Sequence, residues 1–593
     1  MGEKAVRDIN NMIEEKIKDL IKNALKSLNI EVEEILLEHP ADLKMGDYST
    51  NVAMSLAKKE KTNPKELAEK IVIEISKNIP KEIEKIEVKN GFINFYLSHE
   101  FFTKKIEEVL TNKNFGGNDI LSNKKIMIEY TQPNPFKPFH IGHLMSNSIG
   151  ESLSRLFEAS GAKVIRANYQ GDVGPHVAKA IYQILKDKKD IITVTTLDNS
   201  STNEKAKYIG ECYAKGNDAY ENDENAKKEI DEINKKIYEK SDEEINKVYD
   251  WGRTITLEAF EEIYKELGTN FNYYFFESEM APIGKKIVKE NLDKAEGPES
   301  SRRIFEKSDG AIVFHAENYD LKLHTRVFIN SQGLPTYETK ELGLTETKFK
   351  KEDLDISVVI TAQEQQDYMK VVTKALELID PQNASKMKHI VHGMMRLTTG
   401  KMSSRKGNVI TGESLIEDSK AEILKKIQDR DFTDEEKEMV ASWVGVSALK
   451  YSILKQSIGG DIIYDFEKSI SFEGDSGPYL QYAYARAKSI IEKASGEEIV
   501  PSFIDMPEEI SEVEKLIYRF PEIVQHSVED YEPHYIANYL IELSRAYNTF
   551  YGNTKIIDKD DATSPYKVAI TEAFSVIVKN GLNLLGIQAP ERM

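Results

Sequence analysis

At 593 residues, 40% of them hydrophobic, the chain is long enough for several domains, each with its own core. Its 80 basic and 100 acidic side chains give a formal charge of −20, which excludes nucleic-acid binding over the whole surface and confines an RNA partner to a restricted basic track. The single cysteine, Cys212, excludes an internal disulfide and a cysteine-cluster zinc site, and no apolar run approaches the ~18 residues that span a bilayer, so a cytoplasmic protein with neither membrane nor DNA as a partner is expected.

The chain begins with Ile9, Met12, Ile13, Ile17, Leu20, Ile21, Ala24 and Leu28 at helical spacing among charges, the pattern of an amphipathic helix rather than a signal peptide. A loop at 44–48 leads to a helix from about Thr50, and Asn63-Pro64 opens another, proline being suited to a first turn. Residues 86–95 alternate like a hairpin broken at Asn90-Gly91. Together these make a small α+β region.

The most informative stretch is 129–143, Glu-Tyr-Thr-Gln-Pro-Asn-Pro-Phe-Lys-Pro-Phe-His-Ile-Gly-His. It follows a short apolar run, 126–130, that reads as a buried strand, and it precedes a helical pattern with Ile149, Leu153, Leu156 and Phe157 on one face. A helix start presents free N–H groups and partial positive charge to phosphate. Histidines at 140 and 143 can donate hydrogen bonds there, and Gly142 between them would let a ligand approach the backbone. A second strand at 163–169 completes a β-α-β unit, whose strands are parallel and whose ligands sit at the strands' carboxyl ends. Neither Gly-x-Gly-x-x-Gly nor Gly-Lys-Ser/Thr occurs, so neither a dinucleotide fold nor a phosphate-loop ATPase is supported.

From about 186 to 250 the chain is rich in lysine and glutamate, with Ile230, Ile233, Ile237, Ile245 and Val248 as its apolar positions, which reads as inserted helices packed on one side. Strands are expected at 311–314 and 327–329, then a turn, then Tyr337 and Glu341 one helical turn apart on a common face. A short strand at 357–360 ends in the amides of 363–366. At 400–408, Gly-Lys-Met-Ser-Ser-Arg-Lys-Gly-Asn has the composition of a loop that closes on anionic phosphate. From about 465 the chain reads as helices with tyrosine stripes at 479–484 and 535–551; such stripes usually pack in a core, although unpaired bases stack on aromatics with arginine nearby.

The pairing of His140-Ile-Gly-His143 with Lys401-Met-Ser-Ser-Arg405 resembles the two signature motifs of class I aminoacyl-tRNA synthetases. Asn134 and Lys137 before the first motif, the run from Tyr169 through Gly171-Asp172 to His176, Pro335-Thr-Tyr337 with Glu341, and the closing segment 581–593 look together like the arginyl-tRNA synthetase family, and so do Gly46-Asp-Tyr48 with Asn51 and Gly91-Phe-Ile-Asn94. The resemblance runs essentially end to end.

It implies an α/β protein: a Rossmann-like parallel-sheet catalytic domain at 121–455 carrying the insertion at about 186–250, an N-terminal α+β domain at 1–105 that touches the tRNA D-loop, and a C-terminal all-α anticodon-binding domain at 465–593. The implied reaction is ligation of arginine to tRNA(Arg) through arginyl-adenylate, with ATP as substrate, Mg²⁺ accompanying ATP and no metal bound by the protein. Arginine activation would require bound tRNA, and the protein would be a monomer. Implied catalytic residues are His140, His143, Lys137 and Lys401, with Gly142, His140, Lys401, Ser403, Ser404 and Arg405 on ATP. The family usually has lysine at the position of Ser404, and Lys137 is the expected substitute, with Arg405 or Lys406 as alternatives. Glu129, Gln132, Asn134, His143, Tyr337, Glu341 and Gln365 would hold arginine. Glu341 stands where the family commonly has aspartate, and Tyr48 and Asn51 become candidate RNA contacts. The alternative function is a non-catalytic RNA-binding paralogue, favoured only by the serine at 404.

Overall fold

Near the N-terminus, the helix Met12–Ser27 buries Ile13, Ile17, Ile21 and Leu25, the stripe expected from its spacing, against the helix Pro64–Ile75 and a small antiparallel sheet. In this computed structural model, which describes residues 12–187, 200–292, 303–398 and 411–593, that sheet has the order β1 (Tyr48–Thr50), β3 (Phe92–Leu97), β2 (Ile83–Lys89). The β2–β3 turn is Asn90-Gly91, both at positive φ (55° and 86°), the conformation that a tight hairpin of right-twisted strands needs. Asn63 caps the helix Pro64–Ile75 by accepting from the Lys65 N–H.

These elements form one unit with the C-terminal helices Gly477–Gly496, Glu512–Ile517, Phe520–Glu529, His534–Asn553 and Ser564–Leu584. Within it Tyr518 joins the N-terminal core, and Tyr48 is buried with its hydroxyl hydrogen-bonded to Glu522. Tyr48 is therefore a packing residue, which corrects its reading as an RNA contact; Asn51 beside it is half-buried.

The second unit spans Leu121–Pro478 with Leu585–Ile587. Its centre is a five-stranded sheet of β4 (Lys125–Glu129), β5 (Lys163–Gln170), β6 (Tyr273–Phe276), β10 (Ile356–Ala362) and β11 (Met387–His392), every pair parallel, in the order β11-β10-β4-β5-β6. The chain winds outward one way from β4 through β5 to β6 and the other way through β10 to β11. The reversal falls between β4 and β10, where loops diverge at the strands' carboxyl ends and leave a crevice for a ligand.

The helix Ile141–Ala159 packs against β4, β5 and β10. The helices Glu277–Glu290 and Tyr337–Lys351 pack on Met127, Ile165, Ala167, Tyr169 and Phe275 through Met280 and Leu344. Among its described residues the charged insertion forms the helices Thr202–Asn222, Glu224–Glu239 and Glu243–Glu266, which bury Ile209, Ile230, Ile237, Ile245 and Val248 against the helix Pro175–Asp187. A small antiparallel sheet of β7 (Glu306–Ser308), β8 (Ala311–Phe314) and β9 (Arg326–Ile329) precedes the helix Tyr337–Lys351, and β12 (Met395–Leu397) pairs in parallel with β13 (Ile462–Tyr464). Buried Lys450 donates to the carbonyls of Leu267 (2.6 Å) and Gly586 (2.8 Å), so the tripeptide Leu585–Ile587 is anchored in this unit. Among the described residues no helix is long and apolar enough to cross a membrane.

Close approach of two helices depends on glycine. A Cβ on Gly284 would lie 1.8 Å from the Thr339 carbonyl oxygen, and one on Gly343 would lie 2.3 Å from that of Met280. Gly284→Ala should therefore overpack the contact and cost about 1–3 kcal/mol, read as a lower melting midpoint in a thermal scan. Gly496→Ala, at a site where a Cβ meets nothing within 4 Å, should leave the midpoint unchanged.

Candidate active site

Between β4 and the helix Ile141–Ala159, three non-glycine residues take positive φ: Thr131 (76°), Gln132 (54°) and Phe136 (68°). Backbone of this kind persists only where the surroundings enforce it. Here the Thr131 N–H donates to Ser146 Oγ at 3.0 Å, and Asn147 Nδ2 donates to Thr131 Oγ1 at 3.0 Å. Phe136 is fully buried on Gly252, where a Cβ would stand 2.3 Å from its ring.

The loop delivers His140 to the position before the helix. Its N–H donates to Nδ1 of His143 at 3.2 Å, and the two rings stack with centroids 3.4 Å apart. Accepting at Nδ1 leaves the proton of a neutral His143 on Nε2, as a donor. Burial first, then His140 and Lys137, push the His143 pKa well below its usual value. The protein packed around His140, then Lys137 and His392, lower its pKa too, although the ring keeps an exposed edge. Both histidines thus serve as neutral hydrogen-bonding groups.

At Gly142 the backbone passes close to the first of these rings. A Cβ there would stand 3.0 Å from Cε1 of His140, so the glycine makes room for the histidine ring. The cation at this end is Lys137, whose ammonium sits 5.2 Å from the Tyr213 ring centroid; burial and then Lys179 hold its pKa below the usual lysine range. The basic loop at 400–408, with Lys401, Ser403, Ser404 and Arg405, lies outside the described residues. The residue that resumes the chain, Thr411, forms a bridge with His140, and the Gly412 N–H donates to the Phe139 carbonyl at 2.8 Å.

Beyond the histidines, buried carboxylates converge. Glu129 ends β4; its Oε1 accepts from Gln132 Nε2 at 2.6 Å, and its other oxygen pairs with the ammonium of Lys348, itself buried. Glu277, at the carboxyl end of β6, pairs with Lys340 at 2.5 Å, and the same ammonium lies 4.9 Å from the Tyr337 ring centroid. Glu341 accepts from the Tyr368 hydroxyl at 3.3 Å and, among the described residues, has no cation within ion-pair distance. Burial first, then the charge of Glu129, push its carboxyl up to about 8, against the pull of Lys348. Three carboxylates share two ammonium groups, and a buried, unpaired acid of this kind either holds its proton or waits for a cation.

Asn134 accepts from the Gly171 N–H at 3.1 Å through Oδ1; a side chain on Gly171 would meet that oxygen at 2.6 Å. The neighbouring Asp172 is fully buried and accepts from the Ser278 N–H (2.9 Å), the Ser278 hydroxyl (2.8 Å), the Tyr249 hydroxyl (3.1 Å) and Arg253 Nε (3.0 Å). It fastens the helices Glu243–Glu266 and Glu277–Glu290 to the end of β5. Gln365 closes the short turn Gln363–Gln365 after β10 and is exposed; Tyr337 is 57% exposed. The loops after β4 and β10 thus both carry residues expected from the sequence.

Sequence reasoning missed Glu277, Lys340, Lys348, Tyr368 and β6 itself. One signal was available: Glu277 directly follows the run Tyr-Tyr-Phe-Phe, a carboxylate at the end of an aromatic strand.

A family model described as tRNA synthetases class I (R), catalytic domain, matches residues 105–466; a DALR anticodon binding domain matches 480–593, and an arginyl tRNA synthetase N terminal domain matches 15–97. An arginine–tRNA ligase of Clostridium perfringens is 30% identical to this chain, over 99% of it and 100% of the relative. One from Borrelia turicatae is 29% identical, over the whole of both chains. The arginyl-tRNA synthetase structure of Thermus thermophilus superposes with a TM-score of 0.76 at 22% identity, covering 98% of this chain and 100% of that one, and the Plasmodium falciparum structure with 0.74 at 20%, covering 98% and 99%. These likenesses establish the fold, and the family models and curated relatives, spanning all three regions of the sequence, establish that the chain belongs to the arginyl branch of the class I aminoacyl-tRNA synthetases.

Proposed function

We infer that the chain is an arginine–tRNA ligase: it activates L-arginine with ATP, releasing pyrophosphate, and transfers arginine from the adenylate to the 3′-terminal adenosine of tRNA(Arg). The observation that carries this reading at the site is a buried carboxylate that has no cation of its own among the described residues, Glu341, in a cluster whose Glu277 feels the charge of Lys137, the lysine just before the paired histidines that open the helix Ile141–Ala159. A guanidinium supplies the missing charge in a planar fork that suits carboxylates.

Arginine's own carboxylate is ionised at neutral pH, so its oxygen attacks the α-phosphorus of ATP without a strong general base. Catalysis is then positioning together with neutralisation of charge that develops as the α–β bridging oxygen leaves with pyrophosphate. Neutral His140 and His143 donate hydrogen bonds to ATP beside the helix N–H groups, with His143 also near the arginine carboxylate. Lys137 supplies the fixed cation that replaces the lysine missing at Ser404, and Lys401, Ser403 and Arg405 complete the ATP contacts. Glu129, Gln132, Asn134, Tyr337, Glu341 and Gln365 hold arginine, with Glu277 added by its position. In the second step a ribose hydroxyl of the terminal adenosine attacks the activated carbonyl carbon, and AMP leaves.

Magnesium accompanies ATP as the counter-ion of its phosphates. The region 1–105 serves as the D-loop contact, 121–455 as the catalytic region and 465–593 as the anticodon reader. In the helical region Arg486 lies between the rings of Tyr482 (4.9 Å) and Tyr551 (5.0 Å) and donates to Asn548 at 2.6 Å, an arrangement on which a base can stack. Tyr484, Tyr539 and Tyr547 belong to the core instead. The protein works as a monomer in the cytoplasm. No observation favours the non-catalytic paralogue.

ATP–pyrophosphate exchange, run over all amino acids with and without total tRNA, tests the assignment. Exchange should appear with arginine alone and depend on tRNA; exchange with another amino acid would refute the pocket, and none at all would refute the enzyme. Glu341 adds a pH signature. Its carboxyl titrates near 8 before the ligand binds, and the guanidinium pairs with the ionised form, so arginine binding releases a proton. The KM for arginine should fall as pH rises from 6.5 to about 8.5 and then level, and Glu341→Gln should flatten that profile.

A further inference from the structure

Tyr169 ends in the middle of this acidic cluster and the mechanism above does not use it. It lies near the carboxyl end of β5, only 8% exposed, with its ring packed among Met127, Phe275, Met280 and Leu344. Its hydroxyl oxygen is fully buried and has no hydrogen-bond partner among the described residues. The groups whose charge it feels are Glu277, Glu341, Tyr368 and Glu129, in that order, and these together with burial keep the phenol protonated. Buried polar atoms almost always find partners, and an orphan in a cleft is where a ligand atom belongs.

Each other group in the cluster is already engaged. Glu129 has Lys348 and Gln132, Glu277 has Lys340, and Tyr368 donates to Glu341. Among the described residues two groups remain incomplete: the carboxylate of Glu341, which lacks a cation, and the hydroxyl of Tyr169, which lacks any partner. A phenol oxygen accepts hydrogen bonds while its O–H donates, so it can take an N–H from a cation and pass its own hydrogen to a carboxylate. A planar guanidinium, with five N–H donors, satisfies both at once; an ammonium, with three donors about one nitrogen, does not span them.

We propose that Tyr169 is a specificity-determining residue of the arginine pocket, its hydroxyl accepting a guanidinium N–H beside Glu341. The proposal rests on the reading of the chain as an arginine–tRNA ligase. It also accounts for a tyrosine, rather than phenylalanine, on a strand face that is otherwise apolar.

The test is Tyr169→Phe in the full chain, with L-arginine as the probe, read by exchange kinetics in the presence of tRNA and by melting with and without arginine. Phenylalanine keeps the ring and its packing. The expected result is a KM for arginine about tenfold higher, with kcat and the KM for ATP unchanged, since the lost contact is a single hydrogen bond to a charged group. The ligand-free melting midpoint should stay level or rise, because a buried unpaired hydroxyl has gone, while the rise induced by arginine shrinks. A variant that melts lower without ligand yet keeps the wild-type KM would overturn the proposal, as its hydroxyl would then be structural. Equal arginine responses in both proteins would overturn it while leaving the functional reading standing, and a wild-type protein that does not respond to arginine would overturn both.

Discussion

Among the described residues two lysines serve three buried carboxylates, and that shortfall of one positive charge is the constraint around which the catalytic region is built. Lys348 neutralises Glu129 and Lys340 neutralises Glu277, leaving Glu341 desolvated and inclined to hold its proton. Ionised groups are costly to bury unless paired. A cluster kept one cation short is therefore stable without ligand only because one carboxyl stays protonated, and it is completed by a cationic ligand. The same logic runs in reverse a few residues away, where Lys137 and the helix start leave positive charge unspent beside the paired histidines. In the proposed function the acidic cluster takes the guanidinium and the basic end takes phosphate.

The rest of the region holds these two ends in register. β4 ends in Glu129 and continues directly into the loop that places His140, so one strand sets both. Glycines at 284 and 343 let the helices Glu277–Glu290 and Tyr337–Lys351 come into backbone contact, which brings Lys340 within reach of Glu277. Asp172, fully buried with four donors, clasps the start of the helix Glu277–Glu290 to the end of β5. The positive-φ residues between β4 and the helix are locked by Ser146, Asn147 and a buried phenylalanine. Strain and close packing concentrate where the ligand groups must be fixed.

The histidine stretch was legible because its signal is local: an apolar strand, turn-forming prolines, and a helical stripe resuming at Ile149. The inserted helices were legible for the same reason, their five apolar positions falling on one side. The helix Tyr337–Lys351 was legible as a helix at Tyr337 and Glu341, but its burial was not. Its Lys, Glu and Thr residues look like a solvated surface, yet Glu338, Thr339, Lys340, Glu341, Thr345 and Lys348 are all buried; Arg326, the Phe328 carbonyl, Glu277, Tyr368 and Glu129, all on other elements, partner five of them. No local pattern distinguishes such a helix from an exposed one. Tyr48 failed in the opposite direction: a polar aromatic near the N-terminus, read as an RNA contact, is a core residue whose partner, Glu522, lies far along the chain. Gly142 has a further reason to be glycine that no local pattern shows, since a Cβ there would crowd the ring of His140.

The central claim, that an uncompensated carboxylate selects the ligand by charge, is tested most directly by equilibrium binding of L-arginine against L-citrulline, which keeps nearly the same shape without the positive charge. The account predicts that citrulline binds on the order of a thousandfold more weakly, because it leaves Glu341 without its cation. Affinities within about tenfold of each other would contradict it and shift recognition to shape and neutral hydrogen bonds.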